Sequence, residues 1–392
     1  MGYGGGGGGG GGSGGGGGSA GGYGAGGGSG AGAGGGSGYR RVGDDRTANL
    51  KVDNITNRDG SGGTEVDGIV EANTTAHFIP PSGTTAERNS RGRGLFGGGR
   101  ASDGSLMNNI EYITIATSGN ARDFGDLTVA RRRVTAASSS TRGLFAGGYS
   151  PDKDEIDYVT ISATGNAFDF GNLVAGTRTM GGLSDGVRGL FGSGSIGPGF
   201  GVYQDRIDKV TIASKGNASN FGNLTYARDG ASGASSPTIG VFVSGYDNDA
   251  SPKRLNLIDF VIIATEGNAA DFGDLTVNRG PNGNGNTTRG VFAGGYAPTG
   301  SPGAVDTIDY ITYASKGDAI DFGNLTRAFG SFGAASNSIR AVWCGGYGQP
   351  ANYYANLEYV TIATLGNAAS FGDLTSARAN GAACSDSHGG LG

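Results

Sequence analysis

Only two cysteines, Cys344 and Cys384, and two histidines, His77 and His388, occur in 392 residues. So few thiols exclude a disulfide framework. Cys344 fills the slot that Ala146 holds in an earlier repeat, as expected of a small buried residue. The histidines stand at opposite ends of the repeat array, whereas a copper oxidase would need several within one fold. No cofactor, no metal and no enzymatic activity are expected. No apolar stretch is long enough for a membrane helix. The N-terminus carries neither the basic nor the apolar region of a secretory signal, so a surface role is expected to need another exit, such as lysis or assembly into a particle. The net charge of -5 is mild and dispersed, which argues against a surface dedicated to phosphates. Neither nucleic-acid binding nor membrane insertion is expected.

What the chain has in abundance is glycine and repetition. An RGLF-like element begins at Arg93, Arg142, Arg188, Ile239, Arg289 and Arg340, a spacing of roughly 50 residues. Each of these copies has the same internal order. A polar segment with an Arg and small residues (ARRRVTAASSS) precedes an apolar run ending in Gly-Gly (LFAGG). After a variable loop comes a β-branched and aromatic run (IDYVTISA), then a Gly-Asn or Gly-Asp turn, then FGDL or FGNL. That is four strands separated by turn chemistry. The apolar runs do not alternate cleanly, so both faces of each sheet are expected to be buried.

An Arg-bearing first strand, a second strand closed by Gly-Gly, a third with Tyr beside an acid and a fourth with an aromatic together resemble the kelch repeat. Phe124, Phe170, Phe221, Phe272, Phe322 and Phe371 stand where that family usually has Trp. The resemblance covers residues 93–392 and implies an all-β fold, a six-bladed kelch-like β-propeller. A parallel β-helix is the competing architecture, although its repeats are shorter. The segment before Arg93 is too short and polar for a first strand, while the chain continues past the last FGDL. Ala377 to Ser387 is therefore expected to pair beside Leu95 and Phe96 and close the circle.

Residues 1–38 are a glycine-rich tail with scattered Tyr, read as a flexible tether or, in an oligomer, as packed polyglycine helices. Residues 39–92 read as a short β-rich connector, with too few apolar residues for a core of its own. Such a segment gains burial by docking or oligomerising. The run VDNITNRDGSGG, then VDGIVEA and HFIPPSGTTAER, resembles linkers in tail-fibre and other virion proteins of bacteriophages, especially marine phages, which also carry kelch-like arrays of the IDYVTIAT and DFGDLT type. That resemblance implies a virion structural protein on the phage particle surface, a tail or head fibre. Residues 1–92 would contact other virion proteins, and the propeller would display a recognition face toward a host-surface glycan or a virion protein. A homo-oligomer, a trimer by analogy with fibres, is implied as well. The competing functions are a capsid or tail decoration protein that binds no receptor, and a cellular extracellular adhesin.

Binding is expected on the variable loops after the second strands, because variable loops on a repeated scaffold are where binding usually resides. They hold Asp152, Asp154, Tyr203, Asp247, Asp249, Tyr353 and Tyr354, and the Gly-Gly strands end in Tyr149, Tyr246, Tyr296 and Tyr347. Aromatics with carboxylates suit glycan stacking and hydroxyl recognition, while packing at strand ends is the plainer duty of the four repeated Tyr. The acids Asp157, Asp208, Asp259 and Asp309, one per repeat, are expected to pair with the repeated Arg142, Arg188 and Arg289; calcium binding is the alternative. DFG recurs at Asp123, Asp169, Asp271 and Asp321 without HRD or a strand Lys, so it is a repeat element and not a kinase signature.

Overall fold

Short β-branched and aromatic runs set between glycine turns favour strands over helices. The computed structural model, described for residues 92–199, 201–298, 303–348 and 352–387, is all-β, with no helix among the described residues. The glycine-rich tail and the connector expected over 39–92 lie outside the described residues.

Six antiparallel sheets share one strand order. In sheet II the strands are Thr135–Ser138, Arg142–Ala146, Glu155–Thr160 and Phe168–Asn172. Sheet III follows with Gly181–Ser184, Arg188–Gly192, Val202–Thr211 and Ser219–Arg228. Sheets IV, V and VI begin at Ser232–Ser235, Asn282–Gly285 and Gly333–Ser336, and their second strands start at Ile239, Arg289 and Arg340. Each RGLF-like element thus opens a second strand. A small seventh sheet joins Phe329–Gly330, Tyr347–Gly348 and Asn352–Tyr353.

Sheet I is assembled from both ends of the described chain. Its second to fourth strands are Arg93–Ala101, Leu106–Thr114 and Arg122–Asp126, and its first strand is Ala382–Ser385. Leu95 lies opposite Cys384 and Phe96 opposite Ala383, the pairing the sequence leads one to expect.

Apolar side chains pack between consecutive sheets. Leu95 of sheet I meets Phe145 of sheet II, and Leu144 meets Phe191. Leu190 meets Phe242, Val241 meets Phe292, and Val291 meets Trp343. Val342 of sheet VI then shares a cluster with Phe96 of sheet I. Each such aromatic, fully buried, contributes on the order of 2–3 kcal/mol. The same succession appears in the backbone: the Gly-Asn turn of one sheet donates to the fourth-strand Phe carbonyl of its neighbour. Gly165 N–H reaches Phe124 O at 2.7 Å, Gly216 reaches Phe170 at 2.9 Å, and Gly119 of sheet I reaches Phe371 of sheet VI at 2.8 Å.

The acid of each repeat sits at a register slip between third and fourth strands, as at Ile156/Asp157 and Ile258/Asp259. A bulge turns a side chain out of the regular alternation, and these carboxylates accept from the linker that leads in from the preceding sheet. Thr128 N–H donates to Asp157 at 3.0 Å and Thr225 N–H to Asp259 at 3.0 Å.

The expected partners of these acids are corrected. Asp157, Asp259 and Asp309 pair with Arg131, Arg228 and Arg279 of the linkers at 3.0–3.1 Å, and Glu111 pairs with Arg378. Asp208 pairs with Arg206 of its own strand at 2.6 Å, because its linker position holds Thr177. Arg142 and Arg289 instead donate to backbone carbonyls of the following sheet, Ile212 and Ile362, each at 3.0 Å, and Arg188 pairs with Asp185. Lying at strand starts, they meet the next turn, while the linker arginines reach inward to the bulge. Among the described residues no cluster of acids, Cys or His suits a metal ion.

Candidate ligand-binding face

The aromatic and acidic residues expected to bind are engaged mostly with their own surroundings. The Tyr149 ring lies beneath Arg132 and Arg178, 5.3 and 5.2 Å from the two guanidinium carbons. Asp152 forms an ion pair with Arg178 and accepts the Gly197 N–H at 2.6 Å. Asp154 contributes its carbonyl to Leu173 N–H at 2.7 Å. Tyr203 meets Tyr246 edge-on at 6.4 Å, and Tyr347 meets Tyr353 at 5.2 Å. Tyr226 donates to Asp247, whose other oxygen accepts Asp249 N–H at 2.9 Å. Tyr296 donates to the Tyr347 carbonyl at 2.7 Å, and Arg327 covers Tyr354 at 4.9 Å. Two of the segments that follow second strands, residues 100–109 and 195–205, are largely hairpin extensions and not open loops, since Arg93–Ala101 pairs on to Leu106, and Ser195–Ile196 pairs with Val202 and Tyr203.

Cavities form where the linkers turn into the first strands. The six first strands enclose a narrow space of about 60 Å3. A wider one of about 600 Å3 is bounded by the linkers, with Arg133, Thr179, Asp229, Asn282 and Asn380 on its wall and Val134, Met180 and Phe332 beneath them. Tyr246, Arg254 and Tyr296 complete the wall on one side. Two of the expected residues, Tyr246 and Tyr296, therefore reach this cavity; the other nine do not line it.

The asymmetry of the wall has a covalent origin. Between the linker position of Arg131 and the first strand there are three residues, and the same holds after Thr177, Arg228, Phe329 and Arg378; after Arg279 there are two, Gly280 and Pro281. In the longer linkers the middle residue is left-handed, with φ of 59° at Arg133, Thr179 and Ser331, 61° at Asn380 and 73° at Gly230. These residues join by backbone hydrogen bonds: Gly230 to Thr179, Thr179 to Arg133, Arg133 to Asn380 and Asn380 to Ser331, at 2.6–3.0 Å. The belt stops at the short linker, where Gly280 N–H turns to the Tyr296 carbonyl at 3.1 Å.

At that gap stands Arg254. Its guanidinium lies over the Tyr246 ring at 4.9 Å and against Gly280, where a Cβ would come within 3.2 Å of Nη1. It forms no ion pair among the described residues. Asp229 accepts from Ser195 Oγ at 3.1 Å. Burial pushes its carboxyl above the usual range, and Arg133, Ser195, Thr179 and Arg178 only partly offset this. Burial likewise pulls Arg254 down, with Asp229 acting against it.

No family model and no curated protein matches this chain.

Sequence reasoning missed Asp229, Arg254 and Arg133. The missing residue in the linker after Arg279 was a readable signal, because the other linkers set the length it departs from.

Proposed function

We propose that the six sheets are the blades of a six-bladed, kelch-like β-propeller, and that the chain is a bacteriophage virion structural protein. In this reading it is a tail or head appendage whose propeller presents a recognition face to a host-surface glycan or another virion protein. The observation that carries the propeller is the succession of sheets: the contacts joining I to II recur through to VI, and VI makes them with I through Gly119, Thr375 and Arg340. Recognition is supported by a cavity of about 600 Å3, within the range of small-ligand sites, walled by polar groups that the belt of linkers holds in place. The virion assignment rests on the likeness of the connector and repeats to phage fibre sequences, and residues 1–92 would carry the attachment to other virion proteins.

Purified particles of the phage that encodes the chain are expected to contain it, detected by immunogold labelling. Soluble full-length protein is expected to adsorb to host cells and compete with phage adsorption. Absence from the particle overturns the virion reading, and presence without adsorption leaves a decoration protein.

A further inference from the structure

The chemistry of the gap wall is uneven in a way that selects a ligand. Two cationic groups, Arg133 and Arg254, face one carboxylate, Asp229, so the wall carries a surplus positive charge within a cavity of about 600 Å3. Neither guanidinium forms an ion pair or a side-chain hydrogen bond among the described residues. The arginines at the linker position of Arg131 behave differently, since Arg131, Arg228, Arg279 and Arg378 are each matched to an acid. Arg132 and Arg327, which like the cavity arginines form no ion pair among the described residues, lie over Tyr149 and Tyr354 and do not line the cavity. A guanidinium fork left without an acid is a ready partner for a planar carboxylate, which it can grip with two parallel N–H donors. Arg254 is held for that task by Tyr246 beneath it and Gly280 beside it.

The remaining wall suits hydroxyls. Asp229 retains acceptor capacity beyond its bond to Ser195, and the Asn282 and Asn380 side chains offer both donors and acceptors. Val134, Met180 and Phe332 supply a buried apolar floor, as the C–H face of a sugar ring requires.

We infer that the linker cavity binds an acidic saccharide, with the carboxylate of a uronic-acid-type unit on Arg254 and Arg133 and its ring hydroxyls on Asp229 and the two asparagines. This inference rests on the recognition reading above and names the class of glycan.

The test uses the full-length chain and calorimetric titration with oligogalacturonate, the neutral oligosaccharide cellopentaose, and inorganic phosphate. Oligogalacturonate is expected to bind, with cellopentaose and phosphate at least about tenfold weaker. Arg254→Met is expected to weaken oligogalacturonate binding by at least about tenfold, with Arg254→Lys intermediate and the melting temperature of both close to the parent. Arg133→Met provides an independent variant should Arg254→Met unfold. Equal binding of the neutral sugar, equal binding of phosphate, or affinity unmoved in both Met variants overturns the inference. Host-cell adsorption separates the two levels. Adsorption that persists in Arg254→Met and is not competed by oligogalacturonate sinks the acidic-saccharide site and spares the recognition reading; saccharide binding without adsorption does the reverse.

Discussion

Single residues decide how each junction between sheets is held. Arg279 and Asp309 are fully buried at 3.1 Å, yet Nε and Nη1 of Arg279 find no partner among the described residues. Removing one member of such a pair strands a charge, so Arg279→Met is expected to cost about 3–5 kcal/mol, and Arg279→Met with Asp309→Asn considerably less. Chemical denaturation of both variants measures the difference. Glu358 alone among the repeated acids forms no ion pair among the described residues, because its linker position is Phe329 and no arginine of its own strand replaces it as Arg206 does for Asp208. It is bonded by Thr326 N–H at 2.8 Å and Asn356 Nδ2 at 2.8 Å, and burial raises its carboxyl above the usual range. A raised folded value means that the folded state binds the proton more tightly. The associated stability is present below the ordinary glutamate range and is lost as pH climbs through the folded value. Glu358→Gln is therefore expected to gain in melting temperature relative to the parent as pH goes from 4 to 7.5, and a constant difference would contradict that.

At the level of elements, the turn glycines are as specific as the strands. Gly273 has φ +149°, and a Cβ there would lie 2.4 Å from the Gly317 carbonyl of the next sheet. Gly273→Ala is expected to destabilise by about 1–3 kcal/mol and to disturb the Gly317 N–H to Phe272 bond of 2.9 Å, read as faster amide exchange at Gly317. Most strand starts were legible because the RGLF-like copies and the Gly-Asn turns punctuate every repeat. The arginine pairing was not, because two arginines recur in most repeats and spacing alone does not say which reaches the bulge. The cavity wall was hidden for a related reason: Asp229, Arg254 and Arg133 come from three different repeat positions, and it is the shortened linker at Gly280 and Pro281 that leaves Arg254 room.

For the molecule as a whole, the decisive element is the short strand Ala382–Ser385. It completes the sheet begun at Arg93, so segments nearly three hundred residues apart in the chain become neighbours. Deleting residues 382–392 removes four paired positions and bares the cluster around Leu95 and Phe145. The melting midpoint is expected to fall by about 10 °C, with a broader transition, as followed by scanning calorimetry. An unchanged midpoint would mean that sheet I does not need its terminal strand.

The last residues of the first strands form hooks of uniform sense. Ser184 Oγ donates to Ser138 O, Ser235 to Ser184, Ser336 to Gly285, Ser385 to Ser336 and Ser138 to Ser385, at 2.5–2.7 Å. Gly285 has no hydroxyl, so one clasp in this necklace is missing, between the fourth and fifth sheets. Under load or heat the molecule is expected to part there first, in mid-chain and away from the pairing of Ala382–Ser385 with the strand begun at Arg93; labile amides at Asn282–Gly285 would mark it.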